Sequence, residues 1–301
     1  MANPAANLAT IAPFLKPTLD TVWGTNIKGS LDWEDSGFAV SNTQDAYIDD
    51  QERASTGPMQ VKIENELAAI DSFATGYSKR YTMVAYAQRV IVSKEAIADA
   101  KYEEAVNGAA DVAQAAKLTQ EYTAAAVWIN AYTSGFNGGD GVVLGSASHP
   151  LVKGGTYSNM LTTFMSLSET AIETMAINAS QMPDSNGWLV NGYDIKKIVV
   201  PKALEFRLMR ILKSAQQNDT ANNAINALKT KNYGMGVNRY FTSSTQYGAV
   251  TNAKAGLRFV WREKPSFDDE SDEKRKSKTF IGYERFAVGW TNPRGVYLSN
   301  T

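Results

Sequence analysis

The sequence predicts an α+β fold. Stretches with a strand period and stretches with a helix period are mixed without regular alternation, and no internal repeat is visible. With 301 residues, 44% apolar and 20% charged, the chain is long enough to bury a sizeable core.

The first 47 residues have weak periodicity. They mix Pro4, Pro13 and Pro17 with isolated large side chains: Phe14, Leu15, Trp23, Trp33 and Phe38. Disordered tails are poor in aromatics, so the stretch reads as an arm ordered by lying on a neighbouring subunit. Met59, Val61 and Ile63 alternate with Gln60 and Lys62, a strand period, and Tyr81 to Val92 is rich in β-branched and aromatic residues. Turn-forming residues from Asp71 to Lys79 lie between them. This predicts a long hairpin or extended loop, with Phe73 and Tyr77 near its tip and Lys79 and Arg80 just beyond. Two strands alone are marginal in water, so the loop needs support from elsewhere.

Ser93 caps a short helix that runs to about Glu104, with Glu95 in its first turn. Gly108 is expected to interrupt it. A longer helix follows from about Ala109 to Tyr132, with Leu118, Tyr122, Ala125, Ile129 and Tyr132 on one stripe and a length of roughly 35 Å. The glycine-rich run from Gly135 to Gly141 ends it. Ser166-Leu167-Ser168-Glu169 forms a capping box that opens a helix to about Met182. Ile198-Val199-Val200 reads as a short buried strand, and Pro201 starts a helix with Leu204, Leu208 and Ile211 on one face. Asp219 to Lys229 also reads as helical. Strands are expected at Arg239–Thr242, Leu257–Trp261, Thr279–Tyr283 and Arg285–Trp290. The charged run from Asp268 to Lys278 reads as a solvated loop.

Composition removes several classes of function. Thirty basic residues against 31 acidic ones give a net charge of -1, unlike a strongly basic nucleic-acid binder. The absence of cysteine excludes disulfides, thiolate catalysis and cysteine-ligated zinc. His149 is the single histidine, which excludes multi-histidine metal sites. Ser146 and Ser148 stand beside it without the elbow pattern of a nucleophilic serine, so no catalytic role is assigned. The run Gly138-Gly139-Asp140-Gly141 is not followed by Gly-Lys-Ser/Thr, so it is a helix-ending turn and not a phosphate loop. Asp268, Asp269, Glu270 and Asp272 lack calcium-loop spacing. Trp261, Arg262, Trp290 and Arg294 could line an aromatic-basic surface, but apolar strand residues usually pack. No signal peptide or spanning segment is seen, so the expectation is a protein made and kept in cytoplasm, or in something assembled there.

Five blocks stand in a fixed order. They are Ile91–Ala96, leading into the long helix; Ser148-His149-Pro150 ahead of Tyr157-Ser158-Asn159; Val199–Glu205 ahead of Ile211–Ser214; Thr251–Pro265; and Arg285–Tyr297. Together they resemble the major capsid proteins of tailed bacteriophages, which have the Hong-Kong-97 capsid fold, and within these the Mu-like major head subunits.

The resemblance implies a layout. Residues 1–47 would be an N-terminal arm and 48–90 the extended loop. Residues 91–194 and 279–301 would form a peripheral domain with a long spine helix, and 195–278 an axial domain. It implies a non-enzymatic subunit, without cofactor or metal, that self-assembles into the icosahedral shell around phage double-stranded DNA. Its partners would be further copies of itself in hexamers and pentamers, a portal, scaffold or decoration proteins, and packaged DNA bound without sequence preference; no membrane is involved. Assembly would take place in the host cytoplasm and the product would be the virion capsid. Phe14, Trp23, Phe73, Tyr77, Lys79, Arg80, Trp290 and Arg294 are the candidate subunit contacts. A second reading is the shell of a cellular encapsulin-like nanocompartment. Some proteins of this fold join a loop lysine to a neighbour's asparagine; Lys62 and Lys79 lie in the right region but read as ordinary solvated lysines.

Overall fold

The structure, a computed structural model, describes residues 8–68, 75–93, 95–96, 102–189, 192–216, 225–272 and 274–299. In chain order the elements begin with α1 (Leu8–Asn26), α2 (Asp32–Asp35), β1 (Ala39–Asn42), β2 (Tyr47–Arg53), β3 (Thr75–Thr82), β4 (Val84–Ser93) and α3 (Tyr102–Ile129). The small pair β5 (His149–Pro150) and β6 (Thr156–Tyr157) precedes α4 (Glu169–Ser180), β7 (Ile195–Pro201) and α5 (Glu205–Lys213). Then come α6 (Ala227–Lys231), β8 (Gly234–Asn238), β9 (Gly248–Thr251), β10 (Leu257–Asp272), β11 (Ser277–Trp290) and β12 (Val296–Leu298).

Among the described residues, two four-stranded sheets carry the fold. One has the order β1-β10-β11-β4, the other β12-β9-β7-β8. In the second sheet β7 is central. Ile198 and Val200 face a core of Leu208, Ile211, Leu228 and Met175, while Val199 faces a second core around Trp128. Burial on both faces explains why this strand is a continuous apolar run. The second core is aromatic. Trp33 stacks on Phe259 at 4.0 Å, and Phe259 stacks on Phe286 at 4.9 Å.

Helix α3 lies across the first sheet and is continuous through Gly108, which does not break it. A side chain at Gly108 would stand 2.8 Å from Val90 Cγ1 on β4. The glycine costs about 1 kcal/mol of helix propensity and admits the strand. Gly282 on β11 plays the reciprocal part, since a Cβ there would come within 2.4 Å of Val112 Cγ1 on the helix. Buried Ala105, Ala109, Ala113, Ala124 and Ala125 keep the rest of the contact close. Over 28 residues the helix is roughly 42 Å long.

Several expectations need correction. The arm-like start contains α1, despite Pro13 and Pro17 within it, and α1 packs on its own chain. Leu19 is fully buried, and Trp23 stacks on Phe267 of β10 at 5.1 Å. Lys16 and Lys278 both pair with Asp269. Met59–Ile63 has the strand period but no strand; β3 pairs instead with β2, whose sequence is mostly polar. Arg239–Thr242 is a turn, and the strand is the preceding Gly234–Asn238. The cap of α4 is Ser168, which accepts from the Ala171 amide, not Ser166. The helix at Pro201 begins as a 3-10 turn over Lys202–Leu204. The Asp268–Lys278 run is no free loop: Asp268 to Asp272 pair with Ser277 to Ile281 and so extend the β10–β11 hairpin.

The remaining expectations have mixed outcomes. Ser93 accepts from the Ala96 amide, as a cap should, although most of the short helix after it lies outside the described residues. Most of Asp219–Lys229 also lies outside them; α6 covers its end. The division expected at residues 278 and 279 falls within the hairpin whose strands pair along their length, and β12 pairs with β9 of the other sheet. No described helix is long and apolar enough to cross a membrane.

Candidate functional site: the root of an extended segment

Strand β2 alternates. Ile48, Asp50 and Glu52 turn inward, while Tyr47, Asp49, Gln51 and Arg53 are exposed. On the outer face Arg80 meets Asp49 through two hydrogen bonds of 2.7 Å and lies 4.2 Å over the Tyr47 ring. On the inner face the acids meet the segment after β11. Thr291 donates to Asp50 at 2.7 Å and shares a 2.5 Å hydrogen bond with the Tyr81 hydroxyl. Arg258 pairs with Asp50 at 2.7 Å.

Glu52 sits where the β2–β3 register shifts, and its carboxylate accepts from Arg294 Nη1 at 2.6 Å. Gly76 lies opposite; a Cβ there would come within 2.9 Å of Glu52 Cβ. Arg294 is 1% exposed. Its Nε donates to the Pro183 carbonyl at 2.5 Å, and its guanidinium lies 4.0 Å over the Tyr157 ring. Burial pushes the Glu52 carboxyl above its ordinary range, against the pull of Arg294. Breaking such a buried pair from one side typically costs about 3–5 kcal/mol.

The turn from Pro183 to Trp188 grips the next few residues. Asp184 accepts from the Asn186 and Trp188 amides at 3.0 and 2.9 Å, which folds the turn on itself. Its other oxygen accepts from the Ser55 amide at 2.9 Å and from the Ser55 hydroxyl. Asn186 donates to the Ser55 carbonyl at 2.5 Å. Gly57 rests on Trp188, where a Cβ would be 3.1 Å from the indole nitrogen. From Pro58 to Ala68 the chain is exposed: Met59, Val61 and Leu67 are 102%, 94% and 97% exposed.

The glycine-rich turn packs beside this root. A Cβ on Gly138 would stand 2.0 Å from the Trp290 ring, and one on Gly139 would stand 2.3 Å from the Ser78 carbonyl oxygen of β3. Lys79 donates to the Asn137 carbonyl at 2.7 Å. His149 is fully buried: Nδ1 lies 2.7 Å from Asp140, Nε2 lies 3.2 Å from both the Leu144 carbonyl and Asn159, and the ring stacks on Tyr157. These partners occupy both ring nitrogens, which gives His149 a structural task.

The structure therefore gathers Lys79, Trp290 and Arg294 around one root. Trp290 and Arg294, expected at a subunit contact, are buried inside the subunit, as is Trp23 far away on α1. Tyr77 is half-buried within β3, and Arg80 is exposed there. Phe73 lies outside the described residues, and so does the side chain of Phe14. Sequence reasoning missed Glu52, Ser55, Asp184 and Asn186. The turn composition of Asp184-Ser185-Asn186-Gly187 was the available signal; nothing local pairs Glu52 with a residue so distant in sequence.

The model of a family described as phage capsid protein matches residues 76–299. The chain belongs to that family. A phage capsid protein builds the shell of the virion, and this chain is such a shell subunit with a mixed α and β fold. Three solved structures share the fold. A virus-like particle from Pyrococcus furiosus has 11% identity and a TM-score of 0.53, covering 94% of this chain and 98% of that one. Microbacterium phage Oxtober96 has 11% identity and a TM-score of 0.54, covering 91% and 92%. The procapsid of bacteriophage JBD30 has 14% identity and a TM-score of 0.52, covering all of this chain and 76% of that one. No curated protein matches.

Proposed function

We propose that this capsid protein is the major head subunit of a tailed phage and forms hexamers and pentamers of an icosahedral shell around double-stranded DNA. One observation carries the reading. A segment with strand-period apolar side chains is anchored firmly at residues 52–57 and then exposes Met59, Val61 and Leu67 to solvent. Soluble chains seldom display such side chains together unless a partner covers them. In a closed shell each copy can present the segment to the next, and symmetry repeats the contact.

The layout of arm, extended loop, peripheral domain with a spine helix and axial domain belongs to this reading; the sheet of β1, β10, β11 and β4 beneath α3 supports a peripheral body, and the sheet of β12, β9, β7 and β8 supports an axial one. Tyr77 and Arg80 remain candidate contacts, with the exposed loop side chains ahead of them. The Mu-like relation of the sequence blocks, a portal, scaffold or decoration partners, and assembly in host cytoplasm belong to the same reading. DNA would meet the inner face through phosphates, with salt-sensitive binding.

The test is expression of the chain, alone and with its neighbouring head genes, followed by electron microscopy. Closed shells or capsomers are expected. A protein that stays monomeric under all these conditions overturns the reading. The second reading is the shell of an encapsulin-like nanocompartment. Particles from the native source that hold a protein cargo and no DNA would select it.

A further inference from the structure

We propose that Arg294 is the positioning residue that sets the direction in which the extended segment leaves the subunit. The inference rests on the shell-building reading and names the group that prepares the segment for its contact. The direction is decided over residues 52–57, because the chain is held there and is exposed from Met59 to Ala68. Two bodies hold it: strand β2, through Glu52, and the Pro183–Trp188 turn, through Ser55 and Gly57. Arg294 binds both bodies at once. Nη1 reaches Glu52 while Nε reaches the Pro183 carbonyl, and Ser185 of the same turn lies 3.5 Å from Nη1.

The guanidinium suits this task because its donors are fixed in one plane. The Tyr157 ring packs against it, and His149 in turn stacks on Tyr157. The other neighbours leave little slack. Gly76 leaves room for the Glu52 side chain, and Gly57 lies flat on Trp188. A buried ion pair is often no more stabilising than apolar residues of equal volume. Its use here is orientation: a methionine could fill the volume, but it could not join β2 to the turn at a set angle.

Arg294→Met and Arg294→Lys are compared with the wild type in three measurements. These are the thermal midpoint of the unassembled subunit, hydrogen exchange over residues 47–57 and 183–188, and the yield of closed particles by electron microscopy. Arg294→Met is expected to fold, to exchange faster over both stretches and to lose at least tenfold in closed particles. Arg294→Lys should recover the thermal midpoint but not the particle yield, because an ammonium restores the charge without the fork. Normal particles from Arg294→Met, or recovery of both properties by Arg294→Lys, overturns the proposal. If Arg294→Met fails to fold, Asn186→Ala decides, since it loosens Ser55 without touching the ion pair: fewer particles support the proposal, and wild-type yield overturns it. A wild type that makes no particles at all would instead remove the shell-building reading.

Discussion

Gln120 on α3 donates to the Glu284 carboxylate on β11 at 2.7 Å, and the second oxygen of Glu284 is buried without a hydrogen-bond partner among the described residues. The carboxyl lies between helix and sheet, where charge is costly. Desolvation pushes its pKa up to about 7, with the Gln120 hydrogen bond opposing. On the next residue of the helix, Glu121 accepts from the Asp32 and Trp33 amides at 2.6 and 3.1 Å, yet desolvation also raises it to about 7. A raised acid stays protonated in the folded subunit where the unfolded chain has already released its proton. Stability should therefore fall as pH rises through the window from about 4.5 to about 7 and level off above it. Each group contributes on the order of 2–3 kcal/mol to that fall. Urea midpoints of the unassembled subunit at pH 5 and pH 8 test this. Glu284→Gln should raise the midpoint at pH 8 and change it little at pH 5. Identical wild-type midpoints at the two values would refute the assignment.

Gly139→Ala should destabilise the subunit by about 1–3 kcal/mol. The added Cβ meets the Ser78 backbone at 2.3 Å, and a strand cannot step aside as a flexible side chain can. The readouts are a denaturant midpoint and the rate of tryptic cleavage after Lys79, which loses its hold on Asn137 if the turn withdraws. An unchanged midpoint would show that the turn yields easily.

Replacing Met59, Val61 and Leu67 together by serine should leave the unfolding free energy of the unassembled subunit within about 0.5 kcal/mol of wild type, because these side chains touch little of their own chain. Closed-particle yield should drop sharply. Wild-type yield from the triple variant would show that the segment is not a major contact.

Trp23→Ala should cost the unassembled subunit about 3–5 kcal/mol, as for other buried aromatics. An arm that ordered only on a neighbour would give no change before assembly, so calorimetry on the unassembled subunit separates the two possibilities.

Much of the fold was legible where one physical signal acts alone. Ile198-Val199-Val200 is apolar because both its faces are buried, and Ser93 and Ser168 cap by local hydrogen bonds. Legibility ended where distant partners decide. Gly108 looks like a helix breaker until Val90 is placed against it. Strand β2 is mostly polar because its inward acids Asp50 and Glu52 meet Thr291, Arg258 and Arg294 from the other end of the chain. Met59–Ile63 has the alternation of a strand without any strand beside it among the described residues, so period alone did not reveal its conformation. Trp290 and Arg294 drew notice as aromatic and basic residues, but their burial could not be read from type.

The anchoring at residue 57 and the return into β3 at Thr75 make the intervening chain a leash of fixed length. Going out and back over residues 58–74, it can extend no more than roughly 30 Å from its root. Any surface it grips must lie inside that radius. On the shell-building reading, subunits held farther apart would stand beyond its reach, and the curvature of whatever the copies build would be bounded by how far one leash can stretch.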